Sequence, residues 1–442
     1  MSRRRLSKIP PKPSLEEITD LTKGLHDLKQ MIDIDGKGRY YTWDELRYRV
    51  EPEKAEQLWF CLKVARSLSS QRLPFPPVDI QYVLTGEISQ ELHLCDQELS
   101  KVLNVGRSTL DSMPEYIAEA LSDEAIYSSK LEGAVTTELV AREMLRKNLP
   151  PKTKDEQMIV NNHHAMQFIR GKQDVLLTPE FLCEIHRIVT EGTLKDECES
   201  GRFRTSDDVV VRDRFTQEVL YYPPKAADVA GMVEAVCDLA NLDRCKESAG
   251  SFVHPLIVGI ALHFLIGYIH PFYDGNGRTA RTLFYWYVLS RGYLLFEYIP
   301  ISKIITQSPA QYRDAYLATE GDDMDLTYFL VYNISCIRKA REKLAEYLHS
   351  ERERTGKADR LITSLPDLTR RQGQILRYML EYKDEEFGIR EIADRFSVAY
   401  QTARTDLMHL EACKYLWMRK RGKAQYYIVD EEWVASVQGL IG

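Results

Sequence analysis

A short run in the middle of the chain, from His270 to Arg281, combines residue types that can bind a polyphosphate. It reads HPFYDGNGRTAR. Gly275 and Gly277 flank Asn276 at the predicted start of a helix. Their missing Cβ atoms let backbone N–H groups approach phosphate oxygens, and the helix N-terminus adds partial positive charge. This central run (His270–Arg281) is therefore predicted to bind phosphate.

Charged side chains stand on both sides of those glycines. Arg278 and Arg281 lie three positions apart on one face of the predicted helix and can hold neighbouring phosphates. Asp274 places a carboxylate directly before the glycines, and a hard oxygen ligand beside a polyphosphate is how Mg²⁺ is usually held. His270, with an ordinary pKa of about 6.5, can accept a proton from an attacking hydroxyl. These residues indicate chemistry on a polyphosphate.

Two predicted helices position the central run. Apolar residues recur at helical spacing over His254–Tyr268, before Pro271 ends the helix, and again over Thr279–Ser290. His254 and His263 lie on the first of these helices without matching partners. We interpret them as core or rim histidines.

The same helical spacing extends over residues 115–349, which predicts a long helical middle. Asp208–Tyr222 is the exception, because two β-branched or aromatic runs there enclose a polar turn. This stretch predicts a β-hairpin within a mostly α-helical fold. The hairpin is either a structural ribbon or a flap that faces the substrate.

The central run resembles the defining motif of the Fic family, HPFx[D/E]GNGRxxR, at every fixed position. The resemblance covers about residues 115–345 and implies a Fic domain that transfers AMP from ATP to a protein hydroxyl, with release of pyrophosphate. By position, His270 is the general base and Asp274 binds Mg²⁺ between the α- and β-phosphates. The hairpin 208–222 takes the place of the family's flap, which docks a target segment by strand addition.

The resemblance also implies which residues bind the nucleotide. The glycines and the asparagine between them form the anion hole, and the two arginines hold the β- and γ-phosphates. Three further residues align with the adenosine pocket of relatives without a strict motif. The implied nucleotide-binding residues are Asp274, Gly275, Asn276, Gly277, Arg278, Thr279, Ala280, Arg281, Gln311, Tyr312 and Thr319.

A second resemblance lies upstream, where Ser128–Gly133 reads SSKLEG. It fits the pattern [S/T]xxxE[G/N] of the inhibitory helix in a Fic subclass. The resemblance implies that Ser128, Glu132 and Gly133 are regulatory, with Glu132 pairing with Arg281 so that the arginine cannot hold the γ-phosphate. The alternative is a solvated helix face without a regulatory role.

The flanking regions are predicted from composition and periodicity. Residues 1–114 form a mostly helical accessory region in which Asp33–Tyr41 is a turn. The charged, apolar-poor stretch 350–365 is a linker or a frayed helix end. Residues 366–442 show the helix, helix, turn, helix, two-strand order of a winged helix. Its wing is basic (Arg419, Lys420, Arg421, Lys423). This unit is predicted to bind either DNA or a protein. The protein partner could be a second copy of this chain in a dimer.

Bulk composition narrows the class of protein. The chain has 442 residues, of which 44% are hydrophobic and 28% charged, with a net charge of −7, so it is not a generally basic nucleic-acid binder. Eight cysteines without a CxxC pair or a Cys/His cluster fit a reducing cytoplasm without disulfides or a zinc site. The basic N-terminus lacks a following apolar region, and no apolar run is long enough to span a bilayer. A cytoplasmic protein outside the membrane is expected.

Three hypotheses follow from the sequence. The main one is a protein adenylyltransferase that modifies Ser, Thr or Tyr, uses ATP and Mg²⁺, and is inhibited by its own Glu132. The second is another nucleotidyl or phosphoryl transfer, or removal of AMP, by the same central run. The third is a DNA-binding regulator whose central domain senses a nucleotide.

Overall fold

The computed structural model describes residues 9–10, 39–104, 114–213, 216–242, 252–365, 368–383, 385–396, 398–422 and 424–435. The chain divides into two compact units, Met1–Glu342 and Lys343–Gly442. Most of the predicted turn Asp33–Tyr41, up to residue 38, lies outside the described residues. Lys423 of the basic wing and residues 214–215 of the hairpin lie outside them as well.

The first unit is mostly helical, as predicted. Its helices are α1 (Trp43–Arg47), α2 (Pro52–Ser69), α3 (Gly86–Asn104), α4 (Pro114–Leu131), α5 (Glu138–Arg146), α6 (Lys154–Arg170), α7 (Pro179–Thr190), α8 (Ala226–Asn241), α9 (Pro255–Ile269), α10 (Asn276–Ser290), α11 (Ile301–Ile305) and α12 (Pro309–Gly321). Two short antiparallel pairs accompany them, β1 (Gln71–Arg72) with β2 (Gln81–Tyr82) and β3 (Val211–Arg212) with β4 (Val219–Tyr221). The second pair is the hairpin predicted over 208–222.

Helix α9 is the centre of the first unit. Its sequence is apolar around the whole circumference, and such a helix must be buried. Pro255 at the first position and the side chain of His254, which accepts a hydrogen bond from the Leu256 N–H, start the helix. It packs against α10, while α6 packs against α4 and α7. The central run joins α9 to α10 and is thereby placed between two buried helices.

The accessory region is not separate from this unit. The described residues 39–104 belong to the same compact body as the central helices. Arg66 of α2 is buried and donates hydrogen bonds to the Tyr41 carbonyl at 2.7 Å and to the Tyr328 hydroxyl at 2.8 Å. Lys63 pairs with Asp322 at 2.8 Å. These contacts attach α2 to the segment that follows α12.

Of the two alternatives for 350–365, the linker is wrong and the helix is correct, because helix α13 runs without interruption from Thr327 to Ser364. The stretch was interpreted as a linker for its lack of apolar residues. Its Glu, Arg, Lys and Ala residues are, however, strong helix formers, and a polar surface does not prevent a helix from continuing.

The second unit contains α14 (Arg370–Glu381), β5 (Phe387–Gly388), α15 (Ile389–Arg395), α16 (Tyr400–Ala412), β6 (Leu416–Arg421) and β7 (Ala424–Val429). Its sheet has the order β5-β7-β6 with antiparallel pairs. The helices and the β6–β7 hairpin follow the predicted order, to which the structure adds β5. Assignment to the winged-helix class stays a prediction. The buried core includes Ile375, Leu376, Met379, Phe387, Leu407 and Tyr427.

A helix that crosses a bilayer needs about 20 mainly apolar residues. Within the described ranges, no helix meets the requirements of length and apolarity together.

Candidate active site

His270 lies at the C-terminal end of α9 in a left-handed backbone conformation, with φ of 50°. Its Nδ1 is 3.2 Å from the Gly267 carbonyl, and a carbonyl can only accept, so Nδ1 carries the proton. Nε2 is then left as an acceptor. Burial is the main cause that lowers the pKa of His270 below its ordinary value, which keeps the ring neutral near pH 7. A neutral imidazole with a defined acceptor nitrogen is what a general base requires.

The phosphate turn (Asp274–Gly277) follows. The Asn276 side chain accepts from the Phe272 N–H at 2.9 Å and donates to the Phe272 carbonyl at 2.7 Å, which closes the turn. Gly275 has a φ of 81°, and a Cβ there would lie 2.6 Å from Cγ2 of Thr190. Only glycine fits this position. The Asn276 side chain therefore shapes the turn, and the predicted anion hole consists of backbone N–H groups.

Those N–H groups point out of the start of α10. The first helical hydrogen bond runs from the Thr279 N–H to the Gly275 carbonyl at 2.9 Å. The N–H groups of Asn276, Gly277 and Arg278 come before it and have no partner within the helix. With the partial charge of the helix N-terminus, they form a site for an anion. Ala280 is buried behind this helix start.

The Arg278 side chain is less available to bind a phosphate than its position in the sequence indicated. Its side chain is buried, and Nη1 donates to the Val189 carbonyl at 2.7 Å. Nη2 lies 3.7 Å from Oδ1 of Asp274. Its Nε and the hydroxyl of Thr279 are buried without a hydrogen-bond partner among the described residues. Arg278 thus contacts α7, and its predicted role at a phosphate stays a prediction.

Asp274 fits a magnesium ligand. Its side chain is 59% exposed, and Oδ1 accepts from the Gly275 N–H at 2.6 Å. Within the described residues, no group of three or more His, Cys, Asp or Glu could hold a metal by itself. Mg²⁺ is usually held by one or two carboxylates together with substrate phosphates, so a single Asp beside the phosphate turn is sufficient.

Arg281 faces α4 and is held there by three hydrogen bonds. Its Nε donates to the Ser128 hydroxyl at 2.9 Å, and Nη2 donates to the Ser128 carbonyl at 3.0 Å and to Oε1 of Glu132 at 2.8 Å. The side chain of Arg281 is 4% exposed and that of Glu132 is 30% exposed. We call these three residues the inhibitory contact. Gly133, just after α4 ends, has a φ of 117°, a conformation that L side chains rarely adopt.

The Glu132 carboxylate also covers the start of α10. A Cβ built on Gly277 would clash with Oε1 of Glu132 and lie 3.2 Å from Nη1 of Arg281. An acidic group therefore lies against the backbone where an anion is expected to bind. The carboxylate thus lies against Gly277 and binds Arg281, two residues that the sequence predicted to bind phosphate.

Glu124 is a residue of this region that the sequence analysis missed. It is buried on α4 and accepts hydrogen bonds from the Tyr285 hydroxyl at 2.8 Å and the Ser302 N–H at 2.9 Å. Burial raises the pKa of its carboxyl. Glu124 and Ser128 share one face of α4, and Glu132, four residues further on, directly follows the end of this helix. That spacing is a signal in the sequence, and it could have identified Glu124.

His186 and Arg204 were also missed, and both bind backbone of the central run. Arg204 is buried and donates from Nε to the His270 carbonyl at 2.9 Å and from its backbone N–H to the Pro271 carbonyl at 2.9 Å. Its Nη2 donates to the Pro224 carbonyl, beyond β4. His186 of α7 contacts the Asp274 carbonyl at 2.9 Å. No local pattern links either residue to the run.

The β3–β4 hairpin is anchored next to α12. Asp213 and Glu218 close its turn through a backbone bond of 2.8 Å. Asp213 also accepts from Nη1 of Arg313 at 3.0 Å. On the other side, the rings of Tyr221 and Tyr268 lie 5.6 Å apart. Contacts to α9 and α12 thus fix the position of the hairpin.

The three residues assigned to the adenosine pocket lie in different environments. Burial raises the pKa of Tyr312 and the charge of Arg281 opposes this rise, so Tyr312 lies near the inhibitory contact. Its hydroxyl is 2.7 Å from Nε2 of His263. Gln311 is exposed, whereas Thr319 is fully buried with an unpartnered hydroxyl. Only Tyr312 is brought to the central run by the described contacts, and the other two roles stay predictions.

His254 and His263 lie where core or rim histidines are expected. His263 is buried, and burial lowers its pKa to about 3, so it is neutral. His254 caps α9 and lies 3.2 Å from Asp96. Neither contacts the phosphate turn.

The first unit is mostly helical and has a histidine before a glycine-rich helix start. Comparisons with known proteins identify the class of domain that has this arrangement. Residues 176–288 match the sequence model of the Fic/DOC family. The crystal structure of a Fic family protein from Desulfovibrio desulfuricans G20 shares the fold, with 18% identity, a TM-score of 0.54, and coverage of 79% of this chain and 98% of that one. Residues 176–288 therefore contain a Fic domain.

Relatives with curated names are similar over part of the chain. A "Protein adenylyltransferase Fic" from Nematostella vectensis is 26% identical over 226 residues, which is 50% of this chain and 48% of the relative. A protein of the same name from Drosophila erecta is 27% identical over 258 residues, 56% of this chain and 48% of the relative. The chain spans about half the length of the curated relatives it matches.

Proposed function

We propose that this protein is an adenylyltransferase that moves AMP from ATP to a Ser, Thr or Tyr hydroxyl of a target protein and releases pyrophosphate. The observation that carries the proposal is His270. Its Nδ1 proton is committed to the Gly267 carbonyl, so Nε2 is an acceptor beside an anion site at a helix N-terminus. The names of the similar relatives support the same chemistry.

The reaction is a single displacement at the α-phosphorus. The target hydroxyl gives its proton to Nε2 of His270 while its oxygen forms a bond to the α-phosphorus. The bond from that phosphorus to the bridging oxygen of the β-phosphate breaks, and pyrophosphate leaves with the electron pair. The backbone N–H groups that start α10 hold the phosphate oxygens, because they are preorganised and cost no reorientation during the reaction.

Asp274 is proposed to hold Mg²⁺ together with phosphate oxygens of ATP. When bound there, the ion neutralises charge on the leaving pyrophosphate. The exposed carboxylate directly before the phosphate turn supports this role.

Glu132 is proposed to inhibit the enzyme. Its carboxylate binds Arg281 and covers Gly277, so the γ-phosphate of ATP cannot use either group until Glu132 leaves. A misplacement of about an ångström at the α-phosphate can cost on the order of 10²-fold in rate. Because the Glu132 side chain is 30% exposed, it can exchange Arg281 for water without unfolding α4.

The target is proposed to dock in extended form along the β3–β4 hairpin. A short pair of strands offers a free edge for strand addition. Gln311, Tyr312 and Thr319 are proposed to line the adenosine side. Six free cysteines of the described residues (Cys61, Cys183, Cys198, Cys237, Cys336, Cys413) support the proposed cytoplasmic setting.

The second unit is proposed to bind DNA or a protein, which includes a second copy of the chain. Exposed Arg419 and Arg421 would favour DNA phosphates. Both, however, lie 3.0 Å from Glu386, which offsets their charge. The surface therefore fits either partner.

Labelled ATP tests the proposal directly. Glu132→Gly protein is incubated with ATP labelled at the α-phosphate and, separately, at the γ-phosphate, with Glu132→Gly/His270→Ala protein as the control. Label retained only from the α position means nucleotidyl transfer, as proposed. Label retained only from the γ position means phosphoryl transfer and contradicts it. No retained label, together with salt-dependent binding to a specific duplex, would favour the nucleotide-sensing DNA-binding regulator.

A further inference from the structure

We propose that His186 is a positioning residue that holds the phosphate turn in its reactive geometry through a neutral imidazole of fixed tautomer. The proposal rests on the proposed transfer reaction and deepens it. His186 contacts no part of the turn that would touch ATP. It acts through the backbone of Asp274.

The two hydrogen bonds of the ring define its protonation. Nε2 lies 2.9 Å from the Asp274 carbonyl, which can only accept, so Nε2 carries a proton. Nδ1 lies 2.9 Å from the Gly201 N–H, which can only donate, so Nδ1 is an acceptor. Both partners belong to the main chain and cannot exchange roles. The ring is therefore neutral and cannot invert its tautomer without losing both bonds.

The ring is also fixed in orientation. His186 is 1% exposed and stacks on the ring of Phe272, with 3.7 Å between centroids and 8° between planes. The backbone of Phe272 is in turn held by the Asn276 side chain. His186 thus contacts the central run twice, through the Asp274 carbonyl and through the ring of Phe272.

The Asp274 carbonyl is the point at which the chain reverses into α10. Its hydrogen bond to His186 directs this peptide toward α7, so that the next residue, Gly275, takes its left-handed conformation. The N–H groups of Asn276, Gly277 and Arg278, which form the proposed anion site, follow directly in the chain. Without a donor at this place, the carbonyl loses its partner and the peptide is free to rotate. The phosphate site would shift with it.

Two substitutions separate this role from simple packing. The side-chain amide of His186→Gln can place a donor near the position of Nε2, and that of His186→Asn can place an acceptor near the position of Nδ1. Both remove the ring that stacks on Phe272. His186→Gln therefore keeps the hydrogen bond to Asp274, whereas His186→Asn keeps only the one from Gly201.

The variants are compared in the Glu132→Gly background, where transfer is not inhibited. We expect His186→Asn to lower kcat on the order of 10²-fold, as a turn misplaced by about an ångström would. His186→Gln should stay closer to the parent than to His186→Asn. His164→Asn makes the same substitution at an exposed histidine and should leave kcat unchanged.

ATP binding is measured alongside, as the rise in melting temperature on adding ATP. A displaced turn should reduce this rise in His186→Asn and preserve most of it in His186→Gln. If the parent transfers no AMP, the proposed function fails, and the binding comparison alone decides the role of His186. If both folded variants lose kcat and ATP binding equally, the ring acts by packing and the proposal is overturned. If His186→Asn does not fold, low activity of a folded His186→Gln protein overturns it.

Discussion

Two sets of contacts meet at α10, and they differ in what they bind and how deeply they are buried. On the side of α7, the buried side chains of His186, Arg204 and Asn276 all bond to main-chain atoms of the central run. On the side of α4, Arg281 bonds to Glu132, a side chain that is 30% exposed. The first set can be broken only by moving the backbone, whereas the second can exchange partners. We therefore propose that the turn stays in place while the inhibitory contact opens.

The strength of an ion pair depends on its access to water. A fully exposed pair contributes about 0–1 kcal/mol, while a charge that loses its partner in the interior destabilises strongly. Arg281 is of the second kind, since its side chain is 4% exposed and must always have an anionic partner. In the proposed reaction, the γ-phosphate of ATP replaces Glu132 in that role. One buried cation would then have two alternative anionic partners.

The largest expected effect comes from removing the base. His270→Ala should lower the rate of AMP transfer by roughly 10²–10⁴-fold in the Glu132→Gly background, because no other group accepts the proton of the target hydroxyl. ATP binding should persist, since every phosphate contact remains. Transfer is measured with α-labelled ATP, and His164→Ala serves as the exposed control. A folded His270→Ala protein with nearly normal transfer would remove His270 from the mechanism.

Opening the inhibitory contact should have the next largest effect, in the opposite direction. Glu132→Gly should raise AMP transfer on the order of 10²-fold, most visibly as self-modification, because Arg281 becomes free to hold the γ-phosphate. Glu132→Gln keeps the size and removes the charge, so a smaller rise is expected. Adding Arg281→Ala to Glu132→Gly should abolish the gain. Unchanged transfer in a folded Glu132→Gly protein would contradict autoinhibition and leave the family assignment intact.

The sequence predicted the residues of the central run better than the residues that hold it in place. The residues of the central run are adjacent, so their chemistry could be recognised together, and the mostly helical fold and the hairpin were predicted correctly. His186 lies 88 residues from Asp274 and binds only its carbonyl. Every residue has a backbone carbonyl, so a contact to the main chain does not require a particular residue type at the partner position. The residues that hold the turn therefore leave no local pattern in a single sequence.

The side of α4 shows a partial success for a related reason. Ser128 and Glu132 were predicted from a short pattern, but Glu124 was not, although it lies one turn earlier on the same face. Its partners are the Tyr285 hydroxyl and the Ser302 N–H, which are far away in sequence. The helical continuation over 350–364 was only one of two alternatives, because apolar content was used where helix propensity decided.

Weakening the inhibitory contact without opening it should give a smaller effect. Ser128→Ala removes the hydroxyl that accepts from Nε of Arg281 at 2.9 Å and leaves the Ser128 carbonyl and Glu132 in place. One hydrogen bond contributes about 0.5–1.5 kcal/mol, so transfer should rise by only a few-fold. Ser122→Ala is the matched control, since this serine on α4 bonds only to the Ala118 carbonyl in the described contacts. Equal rates for the two variants would show that Ser128 does not help to hold Arg281.

The smallest effect concerns the pH dependence of stability. It tests whether the contact between α9 and α12 excludes water as well as the phosphate turn does. His263 is buried with its Nε2 2.7 Å from the Tyr312 hydroxyl, and burial lowers its pKa to about 3. An unfolded chain holds this histidine at its ordinary pKa of about 6.5, so below that pH the unfolded state binds a proton that the folded state excludes. The free energy of unfolding should therefore fall as the pH falls below about 6.5.

His263→Gln can still bond to Tyr312 but cannot titrate, and its stability should fall less steeply in urea titrations between pH 6.5 and 4. His164→Gln removes a histidine that is exposed, so it should retain the steep dependence of the parent. Parallel curves for His263→Gln and the parent would mean that water reaches His263, and that this side of α10 opens more readily than the phosphate turn.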